Sequence, residues 1–138
     1  MLRINTETIR LFLHVIAATV WVGGQLTLAG LLPALRALGD DAPKAVARQF
    51  NRIAWPAFAV LLVTGVWNLA EVNMKSRPTA YQVTLFVKLC LVALSGIGAF
   101  LHTQARTRVG LAVWGAVGGL ATILALFFGV LLRTGLST

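Results

Sequence analysis

The chain has 138 residues, of which 58% are hydrophobic and 12% charged, with a mean hydropathy of +0.83. That composition excludes an ordinary soluble globular domain. The formal charge of +8 does not point to nucleic acid, because Lys and Arg are spread over every connection and both ends, as the anchors of transmembrane helices are.

A helix needs about 20 apolar residues to cross the hydrocarbon core of a bilayer. Residues 9–32, 53–70, 81–101 and 111–132 are long and apolar enough. They predict an all-α integral membrane protein, a four-helix transmembrane up-down-up-down bundle forming one domain over residues 1–138. The expected location is the inner (plasma) membrane, crossed several times.

The first span is too long for a signal-peptide core and reads as a retained helix. Asn5, Thr6 and Thr8 are N-cap candidates, Glu7 suits the first turn, and Pro33 is expected to end the helix. In residues 34–52, Asp40 and Asp41 can cap and Pro43 fits a first turn. Ala45, Val46, Phe50 and Ile53 form one face there, and Lys44, Arg48, Gln49 and Arg52 the other. This predicts a short amphipathic helix at the interface, entering the second span near Trp55 and Pro56, with a solvated charged linker as the alternative.

The second connection, residues 71–80, holds Met74, Lys75, Arg77 and Pro78; the third, residues 102–110, carries Arg106 and Arg108. Connections this short make neighbouring helices antiparallel. Trp55, Trp67, Tyr81 and Trp114 fall near span ends, where aromatic belts form, whereas Trp21 is mid-span and either packs or lines a cavity. Gly23, Gly24, Gly96 and Gly98, with Gly115 and Gly119 at GxxxG spacing, predict close helix approach within the bundle or in a homodimer. Cys90 is alone, which excludes an intrachain disulfide, and reads as a small buried apolar residue. Arg3, Arg10, Lys75, Arg77 and Arg133 fall on the amino-terminal side; Arg36, Lys44, Arg48, Arg52, Arg106 and Arg108 fall on the other. Concentration of the second set in two tight loops favours both termini outside.

Ionisable groups at membrane depth cost about 2.5–3.5 kcal/mol at a helix centre on insertion scales, so His14 and Lys88 carry most of the functional information. On the first helix His14, Trp21 and Gln25 share a stripe; on the second, Thr64, Trp67, Asn68 and Glu71 do; on the third, Tyr81, Lys88, Ser95 and His102 recur every seven residues. Helical rise puts His14 about 8 Å and Lys88 about 10 Å into their spans, on parallel helices. His14, Trp67, Asn68, Glu71, Tyr81 and Lys88 are therefore expected near one membrane face, with His102 near the opposite one. Each has a plainer alternative: Lys88 can snorkel to headgroups, His14 can be a neutral packing residue, His102 can sit at the water interface and Glu71 can merely end a helix.

The segment LHVIAATVWVGGQLTLAGLLPALR resembles the opening helix of the copper resistance protein D family. The segments FNRIAWPAFAVLLVTGVWNL and LFVKLCLVALSGIGAF resemble its following helices in order, including the lysine at Lys88. The layout is also similar to the bacterial membrane protoporphyrinogen oxidase family, whose members carry a histidine in helix one and a lysine in helix three. The first resemblance implies copper bound or moved at a His14-centred intramembrane site; the second implies haem b or a porphyrin with His14 and Lys88 as the functional pair. From the residues themselves, Glu71 is a further candidate metal ligand and Trp21, Trp67 and Asn68 are candidate cofactor-binding residues. Copper(I) favours thiolate and thioether ligands. The chain has one Cys and two Met, of which only Met74 falls near His14 in depth. A third reading is an accessory subunit in a homo-oligomer or larger membrane complex, with the lipid bilayer as its partner. No constellation suggests hydrolysis, and no Gly-rich loop suggests nucleotide binding.

Overall fold

A computed structural model describes residues 4–135. Arg3, one of the flanking charges, lies outside them. The described chain is helical apart from short turns: α1 (Thr6–Ala18), a π-helical turn (Thr19–Gly23), α2 (Gly24–Ala37), α3 (Ala42–Ala70), a 3-10 turn (Met74–Ser76), α4 (Thr79–Gln104) and α5 (Arg108–Thr134). Thr6–Ala37, Ala42–Ala70, Thr79–Gln104 and Arg108–Thr134 are each long and apolar enough to cross a membrane. All of them extend beyond the apolar cores read from sequence, because the polar residues at their ends cap and continue the helices.

Asn5 starts α1: its Oδ1 accepts hydrogen bonds from the Thr8 backbone N–H and hydroxyl, both at 2.8 Å. Pro33, the expected terminator, does not end the first span; the helix runs through it to Ala37. A proline removes one backbone donor, and the residues after it keep the α conformation. The stop lies at Gly39, whose φ of +125° is a left-handed conformation that a side chain would strain. Its N–H donates to the Arg36 carbonyl at 3.2 Å.

Nor does a separate interfacial helix precede the second span. Asp41 occupies the N-cap without a side-chain cap bond, Pro43 lies in the first turn, and α3 continues unbroken through Trp55 and Pro56. The packed side of the basic segment also differs from expectation. Ile53 is 54% exposed, whereas Phe50 is half-buried and Ala54 buried. Phe50 explains one glycine: a Cβ on Gly24 would collide with its ring, while Gly23 has open space around it.

The chain divides into two compact units, one ending at Val72 and the other beginning at Asn73. In the first, α1, the π-turn and α2 pack along α3 in the opposite direction, with Arg10 against Glu71, His14 against Thr64 and Trp21 against Phe58. The π-turn adds a residue to one helical turn and rotates the remainder of the helix by about 100°. Trp21 sits in it, buried, with its ring 4.4 Å from Phe58 and 5.5 Å from Trp55. Such contacts add about 0.5–1.5 kcal/mol each beyond area burial. Trp21 therefore packs, and Trp55 belongs to its cluster.

The second unit is an antiparallel hairpin of α4 and α5, with Lys88 against Gly129, Ser95 against Thr122, Gly98 against Gly118 and His102 against Gly115. Buried Gly96, Gly98, Gly118, Ala121 and Ala125 bring the backbones close. The tight crossing is Gly98 on Gly118; a Cβ added at the GxxxG partner Gly119 would meet nothing within 4 Å. Cys90 is exposed, contrary to the expectation of burial, because α4 turns the Ser95–Gly98 side towards α5.

A methyl group at Gly98 would lie 2.7 Å from the Gly118 Cα and 2.8 Å from its nitrogen. Gly98→Ala is expected to cost about 1–3 kcal/mol through overpacking. Gly119→Ala should stay within about 0.5 kcal/mol of the parent protein. Thermal unfolding in detergent, followed by circular dichroism, compares the two.

Candidate functional site

His14 lies on the side of α1 that faces α3 and is half-buried. Its Nδ1 is 2.7 Å from the Oγ1 of Thr64, itself 3% exposed. Thr64 has one hydroxyl proton, and its Oγ1 lies 2.7 Å from the Val60 carbonyl one turn back. The same oxygen is equally close to His14 Nδ1, so it accepts from an Nδ1–H ring or donates to a bare Nδ1. Either way the contact orients the His14 ring through Nδ1. Gly65, next to Thr64, lies beside the ring: a Cβ there would meet His14 Cε1 in ordinary contact at 3.8 Å.

One turn towards the start of α1, Arg10 shares His14's side. Its Nη1 pairs with Glu71 Oε1 at 3.7 Å, the arginine side chain 11% exposed and the carboxylate 57%. Glu71 also serves as the C-cap of α3, its N–H donating to the Trp67 carbonyl at 3.3 Å. Thr64 and Glu71 are seven residues apart, about 10 Å along α3. Glu71 thus pairs with Arg10 and His14 with Thr64, in two successive layers. Asn68, half-buried one turn beyond Thr64, lies between those layers, and half-buried Trp67 precedes it. Trp21 is further along, in the aromatic cluster with Trp55 and Phe58.

Lys88 belongs to the second unit. Its side chain is folded across Gly129 of α5, with Nζ 3.3 Å from where a Cβ would stand. Residues 73–138 contain no Asp or Glu, so no carboxylate of that unit can neutralise the ammonium. Tyr81 lies two turns before it, under the Arg77 guanidinium at 5.1 Å. His102 donates from Nδ1 to the Leu111 carbonyl at 2.8 Å, given that a carbonyl oxygen can only accept. Gly115 makes room for that ring.

Among the described residues no group of three or more His, Cys, Asp or Glu could hold a metal ion. The site thus brings one imidazole, oriented through Nδ1, to within one helical turn of a guanidinium. Sequence reading put Thr64 on the right stripe without naming it as His14's partner. Arg10 was counted only as a flanking charge, although its four-residue spacing from His14 signals a shared face. Comparison of the chain with protein-family models, curated proteins and solved structures finds no match.

Replacing Thr64 by Val keeps the shape and deletes the hydroxyl that meets His14 Nδ1. Thr64→Val is expected to destabilise the protein by about 1–3 kcal/mol, and Thr64→Ser to restore most of that loss. Chemical or thermal unfolding of the three proteins in one detergent checks the order.

Proposed function

We propose that the chain is a multi-pass membrane protein that binds haem b or a related porphyrin through His14 Nε2. The membrane reading is supported by large apolar side chains that face outwards from the helices, among them Phe12 at 62% exposure, Val63 at 67% and Phe86 at 67%. In water those surfaces would oppose folding; in lipid they cost nothing.

The observation that carries the ligand reading is the relay from His14 to Thr64 to the Val60 carbonyl. A histidine oriented through its second nitrogen is the usual arrangement of a metal-ligating imidazole. One such nitrogen suffices for an axial bond to haem, whose macrocycle brings four further donors of its own. A copper ion needs a ligand set from the protein, preferably of sulfur. No group of three or more His, Cys, Asp or Glu that could hold a metal ion is present among the described residues. The donor set thus fits haem better than copper, which rests on resemblance alone. Bound here, haem would supply one-electron chemistry. The protein's own part is to orient the imidazole against Thr64.

An absorption spectrum of detergent-purified protein, taken after haem is supplied during expression, tests this. The expected result is a Soret band that His14→Ala abolishes. A protein with bound copper by elemental analysis and no Soret band would overturn the haem reading in favour of copper handling.

A further inference from the structure

Where α4 begins and α5 ends, the second unit has an open groove of about 240 Å³. Its walls include Ala80, Tyr81 and Thr84 from α4 and Leu131 and Leu132 from α5. They are mainly apolar, and the one threonine hydroxyl among them is engaged by the Ala80 carbonyl at 2.8 Å. Both helices are long and apolar enough to cross a membrane. The groove thus lies at one end of two such segments, the level at which spanning helices meet lipid headgroups.

The mouth of the groove is basic, and the chain there is held in place. Arg77 immediately precedes α4, and its guanidinium stands 5.1 Å from the centre of the Tyr81 ring, itself a wall of the groove. The Gln82 amide donates to the carbonyls of Met74 at 3.2 Å and Arg77 at 3.0 Å, which ties this stretch to α4. A contact with a ring face engages the charge of a guanidinium, and its fork of N–H donors remains suited to an oxyanion. Lys75 is two residues from Arg77, and Arg133 follows Leu132. Residues 73–138 contain no Asp or Glu to oppose these charges. An apolar slot with a cationic mouth complements an amphiphile whose head carries net negative charge; a zwitterionic head gains less from it.

We infer that this groove binds one anionic phospholipid, with an acyl chain along Thr84, Leu131 and Leu132 and the headgroup phosphate at Arg77. The inference rests on the membrane reading and is independent of the haem reading. Every residue it uses belongs to the second unit.

The test is native mass spectrometry of the purified full-length protein in detergent, titrated with dioleoyl phosphatidylglycerol and with dioleoyl phosphatidylcholine. The parent protein is expected to bind one phosphatidylglycerol about fivefold more tightly than phosphatidylcholine, the ratio that one basic residue near an anionic headgroup supplies. Arg77→Gln should bind the two lipids equally. Arg108→Gln, at the far end of the hairpin, removes the same charge and should keep the preference. Ala80→Trp, at an exposed position, should fill the groove and lose both lipids. Inorganic phosphate in excess should displace neither. If Arg77→Gln keeps the preference, or Arg108→Gln loses it as fully, the charge is not read at Arg77 and the inference fails. It fails too if Ala80→Trp binds phosphatidylglycerol as the parent does, or if inorganic phosphate displaces the lipid. If the protein leaves cell membranes on washing with alkaline carbonate, the membrane reading itself fails and takes the inference with it.

Discussion

The hydroxyl of Thr64 is the point on which the first unit turns. Buried between α1 and α3, it lies 2.7 Å from both the Val60 carbonyl and His14 Nδ1. Those contacts orient the imidazole and hold α1 in register on α3. The second unit uses the same device. Thr122 donates to the Gly118 carbonyl at 2.8 Å and is hydrogen-bonded across the helix interface to Ser95. There the partner is a serine, and the contact is a clasp beside the Gly98–Gly118 crossing. With a histidine in that place, the same clasp holds an imidazole in one orientation.

Charge is distributed to match. All acidic residues lie at or before Glu71, and the second unit has Lys and Arg only. Lys88 therefore has no carboxylate to meet within its own unit and rests over Gly129. In the first unit the buried cation is Arg10, whose carboxylate partner stands towards solvent at a distance too long for a hydrogen bond. Where apolar surface dominates, these few polar groups determine what chemistry the molecule can do.

Much of the architecture is legible in the sequence. Asn5 as a cap, the apolar helices and the placing of Thr64, Trp67, Asn68 and Glu71 on one stripe all come from helical periodicity and capping chemistry. The failures have physical causes. Pro33 reads as a terminator because it lacks a donor, yet a helix survives one missing bond, and the left-handed turn at Gly39 is what ends it. The break expected before Trp55 presumes that polar and apolar segments are separate elements, whereas α3 carries both. Of the glycines read as close-approach positions, Gly98 meets Gly118, a partner that spacing along one helix does not reveal. The π-turn at Trp21 leaves no mark in residue spacing at all. For the site, periodicity gave the faces, and only the folded chain shows the partners of His14 and Arg10.

The central claim is that His14, oriented by Thr64 through Nδ1, ligates through Nε2. Imidazole nitrogen NMR of the ¹⁵N-histidine-labelled protein, before and after addition of diamagnetic zinc protoporphyrin, measures this directly. In the bound protein His14 Nδ1 is expected to carry the proton, while Nε2 and the adjacent carbon-bound protons move under the ring current of the macrocycle. A His14 signal that does not respond to the porphyrin, or an Nε2–H tautomer in its presence, would contradict it.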